Sequence, residues 1–375
     1  MRIETKAAHA GGEPDHETGA LTPPLHTSTT YERDADGSYP RGFVYSRWAN
    51  PTRALLEETL ADLEGGAGAI MCPSGMSAID TLLRTLSPGE HVILPDDVYH
   101  ATRQLLRDFL GRWGIRYTDV DQTDIEALHS AFEERTRLVW VETPSNPLCR
   151  ITDIEAVCKA AHARSVEVVV DSTWTTPLLQ RPIRHGADFV VHSVTKYLSG
   201  HSDVLAGAVV AADEGGRFAE VKRLQQVAGS VASPFDCWLA LRGIRSLGAR
   251  MRLHCDSAGI VARFLSNHPK VERVHYPGLP THGGHEVARR QMEGFGGMMA
   301  FQYAGSEPLT LAVAGAMRVF RRATSLGGTE SLVEHRASIE SKPTMTPVNL
   351  LRLSIGLEHP DDLIEDLDRA LAIVP

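Results

Sequence analysis

The chain of 375 residues carries no C-x-x-C pair, no G-x-x-x-x-G-K-[ST] run and no G-x-G-x-x-G run. The last two absences remove the nucleoside-triphosphate and dinucleotide readings that such phosphate-cradling loops signal. Five cysteines, Cys72, Cys149, Cys158, Cys237 and Cys255, are an odd and scattered set. That pattern argues against a disulfide framework and against a structural zinc site. His282, His285 and Glu286 in THGGHE lack the spacing of a zinc-hydrolase helix; they read as a polar loop, and no metal site is expected. Positive charge is also scarce: the formal net charge is −9, whereas nucleic acid and anionic membranes call for a basic footprint. No apolar stretch approaches the ~18 residues of a membrane span, and the start MRIETKAAHAGG has no apolar signal-peptide core. The expectation is a cytoplasmic protein whose partners are small molecules, with no nucleic acid and no membrane.

What is present is ordinary in bulk, 42% hydrophobic and 23% charged, and long enough to bury a large core in two domains. Residues 1–44 are rich in Gly, Pro, Thr and His without helical or strand periodicity, and read as an extended N-terminal arm. From Asn50 helices alternate with apolar strands. NPTRALLEETLADLEG has Pro51 suited to a first helical turn and Gly65 to its end. GAIMCPS, HVILPDD, RLVWVETP, EVVVDST and DFVVHS are short apolar runs separated by helical segments. Such runs indicate a parallel sheet covered on both faces, with ligands gathering at the carboxyl ends of its strands. Around Gly243 the character shifts to long arginine-rich helices, then GFGGMMAFQY, then a helix whose Leu363, Ile364, Leu367 and Leu371 make one apolar stripe. The expected division is an arm over 1–44, a large mostly parallel sheet domain over 45–242 and a smaller C-terminal α/β domain over 243–375.

Lys196, in HSVTKYLSGHSD, follows the DFVVHS strand, and Asp171 closes the neighbouring run VEVVV. A lysine just past a buried strand loses its charge by desolvation and becomes a nucleophilic amine. A carboxylate at a neighbouring strand end keeps a heteroaromatic nitrogen protonated. Together they describe a pyridoxal phosphate site, which requires a Schiff-base lysine and an acidic partner for the pyridine nitrogen. Gly75, opening a helix in CPSGMSA, offers backbone N–H groups to the phosphate, and Ser193 and Thr195 offer hydroxyls; alone each is equally a turn or a capping residue. Tyr99, after HVILPDD, is placed to stack on a planar ring or to pack in a core.

The runs YSRWANPTR, PSGMSA, DDVYHAT, ETPSNP, VDSTW, HSVTKYLSGHSD, SLGGTESL and LLRLSIGLE occur in the order seen in the Cys/Met-metabolism (transsulfuration) pyridoxal phosphate enzymes. Nearly the whole chain resembles that family, and most of all its cystathionine γ-synthase and γ-lyase branch. The resemblance implies a type I, aspartate-aminotransferase-like fold assembled as a homotetramer, a dimer of dimers with shared active sites. It implies an internal aldimine on Lys196, Asp171 on the pyridine nitrogen, Thr173 near the cofactor hydroxyl, and Gly75, Met76, Ser193 and Thr195 on the phosphate. It further implies Tyr45 and Arg47 on the partner's phosphate, Tyr99 stacked on the ring and acting as acid or base, and Asn146 on the cofactor hydroxyl. Arg352 would clamp the substrate α-carboxylate, and Ser325 would line the pocket near Lys196. Three positions depart from the pattern: Thr324 stands where a glutamate is usual before SLGG, His100 and Ala101 replace two glycines after the tyrosine, and Val44 replaces an acidic residue before YSR. Thr324 suits a distal group without an ammonium. The activity implied is γ-elimination or γ-replacement on an amino acid; the alternatives are β-lyase chemistry, a specialised γ-eliminase acting on a halide or ester leaving group, and a non-catalytic binding protein of the same fold.

Overall fold

The computed structural model describes residues 1–340 and 346–373. Seven strands, β1 (Gly68–Cys72), β2 (His91–Pro95), β3 (Arg116–Val120), β4 (Thr136–Glu142), β5 (Glu167–Asp171), β6 (Phe189–His192) and β7 (Gly207–Ala211), form one sheet in the order β1-β7-β6-β5-β4-β2-β3. β2, β3, β4, β5 and β6 pair in parallel, and only the pairings of β7, with β1 and with β6, are antiparallel. The alternation of the apolar runs is divided between two buried faces. Leu94, Trp140, Val169, Val191 and Val209 pack on one side, while Ile93, Val141 and Val170 and Val190 and Val210 pack on the other. Burial on both faces is why these strands read as continuous apolar runs.

Helix starts follow their sequence signals. Asn50 caps Pro51–Glu64 by accepting from the Thr52 and Arg53 N–H groups, and Gly65 ends that helix at φ 74°, where only a residue without Cβ is unstrained. Ser74 caps Gly75–Leu83 through Ser77 N–H, directly after β1. Because five parallel strand ends point one way, Ser74–Gly75, Tyr99, Asn146, Asp171 and Ser193–Lys196 all emerge on one edge of the sheet.

A second sheet contains β8 (Val271–His275), β9 (Met298–Tyr303), β10 (Arg321–Arg322), β11 (Leu332–Glu334) and β12 (Leu350–Ser354), in the order β10-β11-β12-β9-β8, antiparallel except for β10 with β11. The helices Leu247–Ser266 and Pro360–Ile373 cover it, with Leu363, Leu367 and Leu371 fully buried and Ile364 packed beside them. The fold is thus α/β, a large mixed sheet with a smaller one beside it.

The structure corrects three expectations. Residues Ile3–Ala8 form a helix inside the stretch expected to be extended; six residues are too few to show a period, and the turn is held by burial of Ala7 and by the Lys6–Asp62 ion pair. β3 and β7 were not among the expected strands: RYTDV is a half-exposed edge, and GAVVA lies close behind the lysine motif. His285 and Glu286 open the helix His285–Gln291 rather than lying in a loop. Among the described residues no helix is long and apolar enough to cross a membrane.

Candidate active site

A cavity of about 430 Å³ opens where the carboxyl ends of the first sheet face β12 and the segment before it. Of the residues expected at the site, it is lined by Gly75, Met76, Tyr99, Asn146, Asp171, Thr173, Ser193, Thr195, Lys196, Thr324, Ser325 and Arg352. Tyr45 and Arg47 are not brought to it within this chain. Tyr45 is 42% exposed, and Arg47 donates from Nη1 to the Gln226 carbonyl at 2.7 Å while lying over the Tyr45 and Trp48 rings.

The Lys196 ammonium donates to Ser325 Oγ at 2.6 Å. Burial, and then the Arg352 charge, lower its pKa from 10.5 to about 8, so a sizeable fraction of the amine is nucleophilic near neutrality. Ser325 is held at φ 93°, a left-handed conformation that a serine rarely adopts without support.

Asp171 ends β5 and accepts the Thr173 N–H at 3.0 Å. Thr173 Oγ1 in turn accepts the Ser193 N–H at 2.8 Å, which fastens the aspartate strand to the turn bearing Lys196. Burial raises the Asp171 pKa, opposed by the Thr173 bonds and the nearby His192. A carboxylate so poorly hydrated gains most from a cationic partner within the cavity.

At the other end of the cavity the first-turn N–H groups of Gly75 and Met76 have no intrahelical acceptor. A Cβ on Gly75 would stand 2.9 Å from Ser193 Cβ and 3.0 Å from its Oγ, so only glycine leaves this cradle open. Thr195 is committed elsewhere: its hydroxyl donates to the Ala206 carbonyl at 3.1 Å and accepts the Ala206 N–H at 3.0 Å. The donors left for an anion are therefore the two backbone N–H groups and the Ser193 hydroxyl. An anion cradle, a reactive amine and a buried carboxylate lining one cavity fit three groups of pyridoxal phosphate: its phosphate, its aldehyde and its ring nitrogen.

Tyr99 closes the cavity from the end of β2. Its N–H donates to Glu142 Oε2 at 2.8 Å, and burial raises the pKa of its hydroxyl. The His100 ring meets the Tyr99 ring edge-on at 4.6 Å. Arg336 Nη2 lies 3.3 Å from His100 Nδ1; since arginine only donates, Nδ1 accepts and the proton resides on Nε2. Burial and Arg336 push the His100 pKa down, leaving that imidazole neutral.

Arg352, on β12, is buried; Nη1 donates to Asn146 Oδ1 at 3.0 Å and Nη2 to the Ser325 carbonyl at 3.0 Å and to Glu334 Oε2 at 2.5 Å. Burial lowers its pKa to about 10, with Glu334 opposing.

Three charged residues at the site were missed from the sequence: Glu142, Glu334 and Arg336. Glu142 ends β4 in register with Asp171 on β5, so two carboxyl groups lie side by side; burial, then Asp171, raise the Glu142 pKa well above normal. Its signal was available, since Glu142 ends RLVWVE as Asp171 ends EVVVD. Glu334 and Arg336 belong to VEHRASIE, whose charges read locally as a solvated segment.

The description "Cys/Met metabolism PLP-dependent enzyme" belongs to a family model that matches residues 4–372. A cystathionine gamma-synthase of Mycobacterium tuberculosis is 47% identical over 373 residues, 98% of this chain and 96% of that protein. A cystathionine gamma-lyase of Dictyostelium discoideum is 41% identical over 378 residues, covering 99% and 97% respectively. The crystal structure of cystathionine gamma synthase from Xanthomonas oryzae in complex with cystathionine superposes with a TM-score of 0.95 at 42% identity, over 99% of this chain and 98% of that one. With the sheet order, the lysine and aspartate at adjacent strand ends and a match along almost the entire length, this chain belongs to the Cys/Met metabolism family of pyridoxal phosphate-dependent enzymes.

Proposed function

We propose that the protein catalyses elimination or replacement at the γ carbon of an amino acid, with pyridoxal phosphate held on Lys196. The observation that carries this reading is that the Lys196 amine, its pKa depressed by burial and by Arg352, lines one cavity together with Asp171 and Arg352. Bound there, the cofactor supplies an electron sink for negative charge developing on the substrate carbons. Gly75, Met76 and Ser193 would hold its phosphate, Asp171 would keep its ring nitrogen protonated, and Asn146 and Thr173 would steady its hydroxyl edge, with Tyr99 against the ring face. Arg352 grips the α-carboxylate, which fixes the amino acid before any bond is broken. Lys196 then collects the proton from Cα and redistributes it to the carbons further along the chain, and the Tyr99 hydroxyl stands by as a second acid or base.

The organisation that goes with this reading is an arm over 1–44, a cofactor domain over 45–242 and a C-terminal domain over 243–375, paired as a homotetramer of two tight dimers in the cytoplasm. In that assembly Tyr45 and Arg47 reach the partner's phosphate. The exposure of Tyr45, and the absence of both residues from the lining of this chain's own cavity, support it.

A second reading is a γ-eliminase acting on a halide or ester substituent. It is favoured by Thr324, His100 and Arg336 on the cavity wall, which present donors where an ammonium-bearing substituent would call for a carboxylate.

Incubation of the holoenzyme with cystathionine and with γ-substituted amino acids, with and without cysteine, read by mass spectrometry, tests both. Cystathionine giving cysteine and 2-oxobutyrate, or a γ-ester with cysteine giving a thioether, is the expected result. Homocysteine and pyruvate overturn the γ assignment, and turnover of halides or esters alone selects the second reading.

A further inference from the structure

The grip of Arg352 on a substrate carboxylate, which rests on the function proposed above, is obstructed by the chain's own bonds. A guanidinium carries five N–H groups, and it holds a carboxylate by two parallel hydrogen bonds along one of two edges, Nε with Nη2 or Nη1 with Nη2. Both edges use a hydrogen of Nη2. In Arg352 both of those hydrogens are taken, one by the Ser325 carbonyl at 3.0 Å and the other by Glu334 at 2.5 Å. One of these acceptors must leave before a substrate carboxylate is seated bidentately.

The backbone acceptor is the harder one to move. Ser325 is fixed at φ 93°, its side chain receives Lys196 Nζ, and two residues on Gly327 N–H is tied to Ser354 Oγ at 3.0 Å. Glu334 is a side chain with a second cation already in place. It stands opposite Arg352 in the β11–β12 register, and the same Oε2 that takes Arg352 also takes Arg336 Nη1 at 3.1 Å. Arg336 is itself 3% exposed, lines the cavity and is balanced from behind by Glu340 at 3.1 Å. Glu334 is thus shared by two buried guanidiniums, and because Arg336 also has Glu340, a carboxylate arriving at Arg352 can displace Glu334 toward Arg336 without leaving either guanidinium unpaired.

We propose that Glu334 is an exchangeable internal partner: it occupies Arg352 until the substrate arrives, and is then passed to Arg336, so that Arg336 and Glu334 together set the affinity for the α-carboxylate. Both are positioning residues, acting through Arg352. The exchange leaves no guanidinium or carboxylate unpaired at either end, which is the condition under which buried charges are tolerated.

The test uses holoenzyme and two probes, glycine, which has an α-carboxylate and no leaving group, and glycinamide, which lacks the carboxylate; binding is measured by calorimetry. Glu334→Gln weakens the internal competitor and is expected to tighten glycine by about tenfold, the worth of one charge-assisted hydrogen bond, with glycinamide unchanged. Arg336→Gln removes the place to which Glu334 retreats and is expected to loosen glycine by a few-fold, again without effect on glycinamide. In the double variant the Arg336→Gln effect vanishes, because there is no longer a carboxylate to pass on. Should Arg336→Gln fail to fold, Glu334→Gln decides alone. Glycine bound more weakly or equally by Glu334→Gln, or both probes shifted alike, overturns the exchange. Arg352→Lys separates the two layers: strong loss of glycine there with an unresponsive Glu334→Gln keeps the carboxylate role of Arg352 and sinks the exchange, whereas glycine binding indifferent to Arg352→Lys sinks the Arg352 assignment itself.

Discussion

The two walls of the cavity are built by different means. On one wall Gly75, Tyr99, Glu142, Asp171 and Lys196 follow the ends of parallel strands, and their positions descend from strand order and register. On the other, Arg336 and Arg352 are placed by ion pairs with Glu334 and Glu340 around β11 and β12, and the Ser325 carbonyl accepts from Arg352 beside them. The first kind of placement is rigid because moving one residue would shift a strand buried on both faces. The second is adjustable, since charged partners can be exchanged without moving backbone. The contrast suggests a division of labour under the proposed function: the strand-end wall would hold the cofactor for chemistry, and the ion-pair wall would adapt to the amino acid. Variants of the first wall should therefore act on turnover and cofactor state, and variants of the second on KM.

The largest expected effect is on the first wall. Lys196→Ala should abolish turnover and the visible absorbance of lysine-bound cofactor; appreciable steady-state activity in that variant would remove Lys196 from the chemistry. Asp171→Asn comes next. The purified variant should keep cofactor yet lose about 100-fold or more in kcat, because a neutral ring nitrogen draws electrons less strongly. A kcat at the parent level would break the comparison at its base. On the second wall, Arg352→Lys loses the bidentate fork and should raise KM by roughly tenfold to a hundredfold with a smaller change in kcat, the range expected for one or two charge-assisted bonds. An equal fall of kcat and kcat/KM would place Arg352 in the transition state alone and dissolve the division between the walls.

How much of this could be read from the sequence follows the same division. Asp171, Gly75 and Ser193–Lys196 were legible because each follows an apolar run or opens a helix, so their neighbours along the chain announce the strand end that positions them. Glu142 satisfied the same local rule but gains its meaning only from lying beside Asp171, a fact of register between β4 and β5. Glu334 and Arg336 gave no local sign at all: a charged segment reads as solvated until β12 is laid antiparallel to β11 and Glu334 is found opposite Arg352. Thr195 was placed on the right cavity, yet its hydroxyl is spent on Ala206, eleven residues downstream. The helix Ile3–Ala8 is tied through Lys6 to the distant Asp62, and β3 is a polar, half-exposed edge rather than an apolar run. Short-range pattern carried the sheet and its rim, and long-range pairing carried what it could not.

The smallest effect concerns the ionisation of the first wall and sharpens the comparison without altering a residue. An ordinary lysine with a pKa near 10.5 presents roughly one neutral amine in three thousand at pH 7. Lys196, lowered to about 8 by burial and by Arg352, would present about one in ten. Reconstitution of the cofactor-free protein with pyridoxal phosphate should accordingly quicken about tenfold per unit as pH rises toward 8 and level off above it. Between pH 8 and 10.5 the folded chain binds fewer protons at this site than the unfolded chain, so this lysine makes the cofactor-free fold gain stability as pH rises through that window and costs stability below it. Because Arg352 contributes to the shift, Arg352→Lys retains the charge and should leave the midpoint near 8, while Arg352→Ala removes it and should move the midpoint upward. A reconstitution rate still climbing beyond pH 9.5 in the parent protein would mean that Lys196 is hydrated like a surface lysine, and the strand-end wall would then hold the cofactor without activating the amine that receives it.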